Sequence, residues 1–168
     1  MSQSLLALSL FFHISATVLW IGGLLLTVLL VWPEVQRTLA DQPKLYAMLS
    51  RWRTRFYPIS NIALAVLVVT GLFQMTADPS YDGLLAFDNT WSRVMLVKHV
   101  VIVLMVLAGG LLQYGVTPAL ERTSLLLQRE KGDVAVWGRL RRREVLLTWL
   151  NAGLGVAVLA LSAWATSI

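Results

Sequence analysis

Two histidines, His13 and His99, and one lysine, Lys98, lie inside long apolar runs of this chain. An ionisable side chain in such a run is costly and marks a functional site by default. Imidazole is the commonest metal-ligating side chain, and it also relays protons. Two isolated histidines can supply both axial ligands to one haem iron, with the ring between them. A second chemistry comes from methionine. Met95 and His99 are one turn apart on the same helix face, and Met75 lies at the end of another apolar run. Thioether with imidazole suits cuprous ion, although methionine is also an ordinary packing residue. Met105 is the one further candidate for a path that runs deeper. A third reading leaves the histidines to packing or to proton relay.

The elements that must position these residues follow from composition. The chain has 168 residues, 57% hydrophobic and 14% charged, with a mean hydropathy of +0.70. A soluble domain carries nearer a quarter charged residues. Residues 5–32 hold His13 as their one ionisable side chain, and residues 145–168 hold none. Runs of this length and apolarity cross a bilayer. The chain is therefore read as one transmembrane domain over residues 1–168, an all-α integral membrane four-helix bundle. Its spans are placed at about 4–32, 56–77, 92–117 and 145–167. The first run lacks a basic leader and is about twice the length of a signal-peptide core, so it is read as retained.

With no cysteine, the chain can hold no disulfide, iron–sulfur cluster, thiolate metal site or covalently attached haem, and no catalytic cysteine. A net charge of +5 and a pI near 10.1 belong here to basic loops, and nucleic acid is set aside. Apart from Arg93 and Lys98, all fourteen basic residues lie in the first and third connections. The second connection carries Asp78, Asp82 and Asp88 instead. By the positive-inside rule both basic loops are cytoplasmic and both termini lie on the outer, periplasmic side of a bacterial inner membrane. Spans 1 and 3 then run in the same direction. His13 and His99 lie about nine and seven residues into them, at depths of ~14 Å and ~11 Å for a rise of 1.5 Å per residue. Both imidazoles fall in the outer half of the membrane.

Each span also carries small or polar residues at helical spacing, as in Thr17, Trp20 and Gly23, or Asn61, Gly71 and Gln74, or Asn151, Gly155 and Ser162. Small residues let helices approach, and buried amides and hydroxyls find partners across the interface. A faint repeat relates Gly22-Gly23-Leu24-Leu25 after His13 to Gly109-Gly110-Leu111-Leu112 after His99. In the first basic loop, Asp41 and Pro43 open an expected helix on which Leu45, Met48, Leu49, Trp52 and Phe56 recur. With Arg51, Arg53 and Arg55 beside them, it reads as a helix resting on the anionic inner leaflet. The Arg139–Arg143 run reads as a second leaflet anchor. Lys98 is expected to point about 100° away from His99, toward the interface or an acidic cofactor group. Arg93 reads as a partner for haem propionates or as an interfacial anchor beside Trp91. Asp88 to Thr90 supply a cap for the third span.

At these residues the chain resembles the CopD-like copper-resistance membrane domain and the related HemJ-type haem-binding proteins. The matching stretches are Phe12-His13 through Trp20-Ile21-Gly22-Gly23, Arg55-Phe56 through Val69-Thr70-Gly71-Leu72, and Trp91 through Leu96-Val97-Lys98-His99, with Leu150-Asn151 to Leu161 in the last span. The CopD-like resemblance implies copper transport or resistance at the inner membrane. The HemJ-like resemblance implies haem b and protoporphyrinogen oxidation, with His13 and Lys98 at the important positions. Thr27-Val28-Leu29-Leu30 departs from the Leu-Pro-Arg segment of HemJ-like chains, and His99 is an addition to their pattern.

The leading expectation is a haem b-binding, cytochrome b-like membrane protein with His13 and His99 on the iron and Lys98, Arg93 and Trp20 around the cofactor. It would pass electrons between a membrane quinol and an outer-side acceptor or partner subunit, alone or as a homo-oligomer among membrane lipids. The alternative is copper, held by His13 and His99 with Met95 and Met75. A HemJ-like protoporphyrinogen oxidase is the second alternative. The choice between Lys98 and His99 as second ligand turns on helix rotation.

Overall fold

The computed structural model describes residues 3–31, 33–34, 37, 44–81, 83 and 88–168. Among them four helices are long and apolar enough to cross a membrane. They are α1 (Gln3–Val31), α2 (Lys44–Ala77, its apolar span Arg51–Ala77), α3 (Thr90–Gln128) and α4 (Val134–Ala165). No strand occurs among the described residues. Hydrocarbon offers the backbone no hydrogen-bond partner, so each apolar run satisfies its peptide groups within its own helix.

The ends are set by local chemistry. The Asn89 side chain accepts from Ser92 N–H at 2.7 Å and caps α3, and Asp133 accepts from Ala135 N–H at 2.7 Å to cap α4. After α2, Asp78 turns the chain by accepting from Ser80 N–H at 2.9 Å. After α3, Glu130 takes a positive φ of 57°, and a Cβ at Gly132 would lie 2.6 Å from the Leu127 nitrogen. Glycine is required for that close approach. Wider π-helical turns interrupt α1 at Val18–Gly22 and Thr27–Val31, and α3 at Leu111–Val116. They flank Gly22-Gly23 and follow Gly109-Gly110, so the two copies of the faint repeat share a backbone irregularity of the kind frequent at functional sites.

Two expectations about the connections are corrected. The helix foreseen on the leaflet surface is the first part of α2. Nothing from Lys44 to Phe56 breaks it, and the helix runs on through Pro58. Asp41 and Pro43, its expected start, lie outside the described residues, as does Asp82. Similarly, α3 continues to Gln128 and α4 begins at Val134, so most of the third connection is helical. Charge ends a span but does not end a helix, because Arg, Lys and Glu are good helix formers.

The helices associate as two antiparallel pairs. In the first, Ser9 meets Gln74, His13 meets Thr70, and Gly23 meets Phe56. A Cβ on Gly23 would come 2.5 Å from the Phe56 ring, so only glycine admits this contact. In the second, Gly109 faces Asn151 and Gly155 faces Met105. The pairs join where Ile21 of α1 packs with Met105 and Val158. In contrast, α2 and α3 draw together closely only toward one end, where Tyr57 Oη lies 3.2 Å from Thr117 Oγ1. A cleft separates them elsewhere.

At that same end Glu144, 2% exposed, forms ion pairs with Arg53 of α2 and Arg141 of its own helix. Arg53 and Arg141 are thus corrected from leaflet anchors to members of a buried ionic cluster tying α2 to α4. Removing the carboxylate leaves two guanidinium groups facing each other in a poorly solvated site. Loss of one partner from a buried ion pair costs roughly 3–5 kcal/mol. Glu144→Ala is therefore expected to lower the thermal midpoint in detergent far more than Glu130→Ala, a substitution at the exposed turn. Equal midpoints would show that the cluster does not hold the helices together.

Candidate metal centre

Both histidines line one chamber of about 150 Å³ inside the bundle. His13 and Thr17 enter from α1, Gly71 from α2, Met95, Lys98 and His99 from α3, and Ser162 from α4. The matched depths read from the sequence thus correspond to a shared space.

The contact with the Met95 carbonyl requires a proton on His99 Nδ1, and donation from Thr70 to Val66 favours the same tautomer for His13. Thr70 Oγ1 donates its only proton to the Val66 carbonyl at 2.6 Å. It can then only accept from His13 Nδ1, which lies 2.8 Å away. The Nδ1 of His99 lies 2.6 Å from the Met95 carbonyl oxygen, which also can only accept. With Nδ1 protonated, each ring keeps the Nε2 lone pair. This is the arrangement found around metal-bound histidines, where the second nitrogen donates to a carbonyl or hydroxyl and sets the ring's orientation. Gly71 completes it. A Cβ there would lie 3.3 Å from His13 Cε1, so the imidazole rests directly against the α2 backbone.

A second cavity of about 380 Å³ adjoins the chamber on the Asp78 side. It shares His13, Thr17, Gly71, Met95 and Lys98 with the chamber, and adds Gln74, Met75, Asp78 and Trp91. Met75 is therefore placed at the mouth rather than beside the histidines, packed with Trp91, Val94 and Ala165. On the other side a third cavity of about 240 Å³ shares Trp20 and Leu64 with the chamber and is lined by Met105 and Asn151. Met105, 1% exposed, sits in the core at this boundary. A thioether thus stands at each of the three levels.

The expected positions divide clearly. His13, His99, Met95 and Trp20 reach the chamber. Lys98 lines it too, on the cofactor side of the two directions left open for it. Neighbouring residues on α3 both reach a space walled by all four helices, and the lysine stem is long enough to enter it. Arg93 is exposed and lines neither the chamber nor the mouth. The residues that sequence reasoning missed are Thr70 and Val66. A lone hydroxyl beside glycine in Val69-Thr70-Gly71-Leu72 was the available signal. Among the described residues no three His, Cys, Asp or Glu side chains cluster as a metal site. The donor set is two imidazoles and one thioether, which suits a soft ion of low coordination number better than zinc or a hard cation.

Gly71→Leu is expected to displace the His13 ring and weaken metal binding about tenfold or more, equivalent to ~1.4 kcal/mol. Gly110→Ala, where an added Cβ meets nothing within 4 Å, should leave binding unchanged. Equal affinity in both variants, measured by competition with a chromophoric cuprous chelator, would remove His13 from the site.

No curated protein and no solved structure matches the chain. The family model described as copper resistance protein D matches residues 50–165, which include Thr70, Gly71, Met75, Met95, Lys98 and His99 and leave His13 outside. With that match covering more than half of its length, the chain belongs to the CopD copper resistance protein family.

Proposed function

We propose that the protein is a copper-resistance membrane protein that binds cuprous ion between His13, Met95 and His99. The observation that carries this reading is the pair of imidazoles lining one chamber with Met95, each held through its Nδ1 by a hydrogen bond to Thr70 or to the Met95 carbonyl. The cavity on the Asp78 side is the approach. A carboxylate and the Met75 thioether at its mouth supply an attractive field and a first soft contact for the ion. Lys98 has no carboxylate partner among the described residues, and an ammonium beside the chamber opposes a cation in proportion to its charge. That favours the monovalent ion over the divalent one and leaves binding to the ligand atoms.

By the positive-inside rule the basic connections support a cytoplasmic position for the Arg53 and Glu144 end, with the Asp78 mouth and both termini toward the periplasm. The inner membrane of a bacterium is the location consistent with this charge pattern. Copper is the better reading than haem b because the family is a copper-resistance family.

Purified protein loaded anaerobically with Cu(I) in detergent should retain a single copper per chain and show no haem bands in its reduced-minus-oxidised visible spectrum. His99→Ala and Met95→Leu should each weaken retention by about tenfold or more, with a folded helical signature retained. A haem alpha band from haem-replete expression, or copper retention unaffected by both substitutions, would overturn the copper reading.

A further inference from the structure

The cavity beyond Met105 differs in kind from the metal chamber. No charged side chain lines it. Its polar groups include the amides of Asn61, Gln113 and Asn151, and Trp20, Phe56 and Tyr114 supply aromatic walls. All four helices contribute, and the π-helical turn Leu111–Val116 carries Gln113 and Tyr114.

Two observations point to a missing occupant. First, Asn151 is 7% exposed, and its side-chain oxygen has no hydrogen-bond partner. Its amide packs against Gly109, where a Cβ would lie 3.2 Å from Nδ2. An orphaned amide is costly where neither water nor protein satisfies it. Second, the cavity opens sideways. Tyr114 lines it and is 73% exposed, and Asn61 lines it and is exposed in the middle of an apolar span. Both stand where α2 and α3 are separated by the cleft, so the opening faces the position of lipid rather than either aqueous side.

The lining selects among ligands. Cuprous ion prefers thioether and imidazole to amide oxygen, and any bare ion here would have no counter-charge. Acyl chains have nothing for three amides to bond. A flat neutral ring with hydroxyl groups at its edge can donate to the orphaned Asn151 oxygen and stack on the aromatic walls, and it arrives through the bilayer.

We propose that this cavity binds the ring of a quinol, whose hydroxyl donates to the Asn151 side-chain oxygen, with a further hydrogen bond to Asn61 and a hydrophobic tail leaving through the cleft between α2 and α3. A volume of about 240 Å³ lies just under the ~300 Å³ at which pockets for whole drug-sized ligands begin, as expected for a site holding a head group alone. The inference does not rest on the copper reading.

The test uses the full chain in phosphatidylcholine nanodiscs titrated with decylubiquinol, with empty nanodiscs as the partition baseline. Saturable binding of the quinol above that baseline is expected. Asn151→Leu should weaken it tenfold or more, and Asn61→Leu should weaken it measurably. Copper stoichiometry on the same samples reports folding and the metal site separately. Failure of quinol binding with copper retained overturns this proposal alone. Three results overturn it: no saturable binding by the wild-type protein, unchanged binding in both variants, or a cleft filled by a second copy, seen as a dimer that excludes the quinol.

Discussion

Everything in the interior depends on one constraint: a polar side chain within the hydrocarbon must find its partner inside the protein. His13 finds Thr70, whose own proton is committed to the Val66 carbonyl, and His99 finds the carbonyl of Met95. Satisfying the rings in this way favours a proton on Nδ1 of each and leaves a lone pair on Nε2. In the copper reading proposed above, solving the solvation problem would also prepare the metal ligand. Gly71 belongs to this arrangement as well, because only a residue without a side chain lets the ring lie against α2.

The architecture divides rigidity from access. Tight glycine contacts hold α1 to α2 and α3 to α4, while Ile21, Met105 and Val158 join the pairs. The ionic cluster around Glu144 and the contact between Tyr57 and Thr117 close one end. Between α2 and α3 the bundle stays open. A chamber lined by soft donors lies along this cleft, with a mouth carrying Asp78 and Met75 on one side and a neutral, amide-lined cavity on the other. The side chains of the two inner spaces differ in the ligands they suit: thioether and imidazole favour a soft ion, and uncharged amides favour a neutral molecule.

Much of this was legible in the residues. The four spans, the cap at Asn89 and the convergence of His13 with His99 follow from apolar length and the rarity of ionisable side chains in such runs. The continuity of the helices through the basic connections was not legible, since Arg and Lys mark the end of the membrane without disfavouring a helix. The direction of Lys98 was open in the sequence, and a broad chamber admits it beside His99 although the two are about 100° apart on α3. Glu144 drew no notice beside the Arg139–Arg143 run, since its second partner, Arg53, is remote in sequence. Asn61 looked like an interior residue, and only the separation of α2 from α3 shows that it borders an opening. The expectation of haem b rested on the paired imidazoles, which copper asks for equally, and the family favours copper.

The measurement that tests the central claim most directly is X-ray absorption at the copper K edge of the anaerobically loaded Cu(I) protein. The account predicts a low-coordinate cuprous ion with two imidazole nitrogens and one sulfur in its first shell, and loss of the sulfur contribution alone in Met95→Leu. A first shell of oxygen donors, or one that is unaltered when Met95 and His99 are replaced, would contradict it.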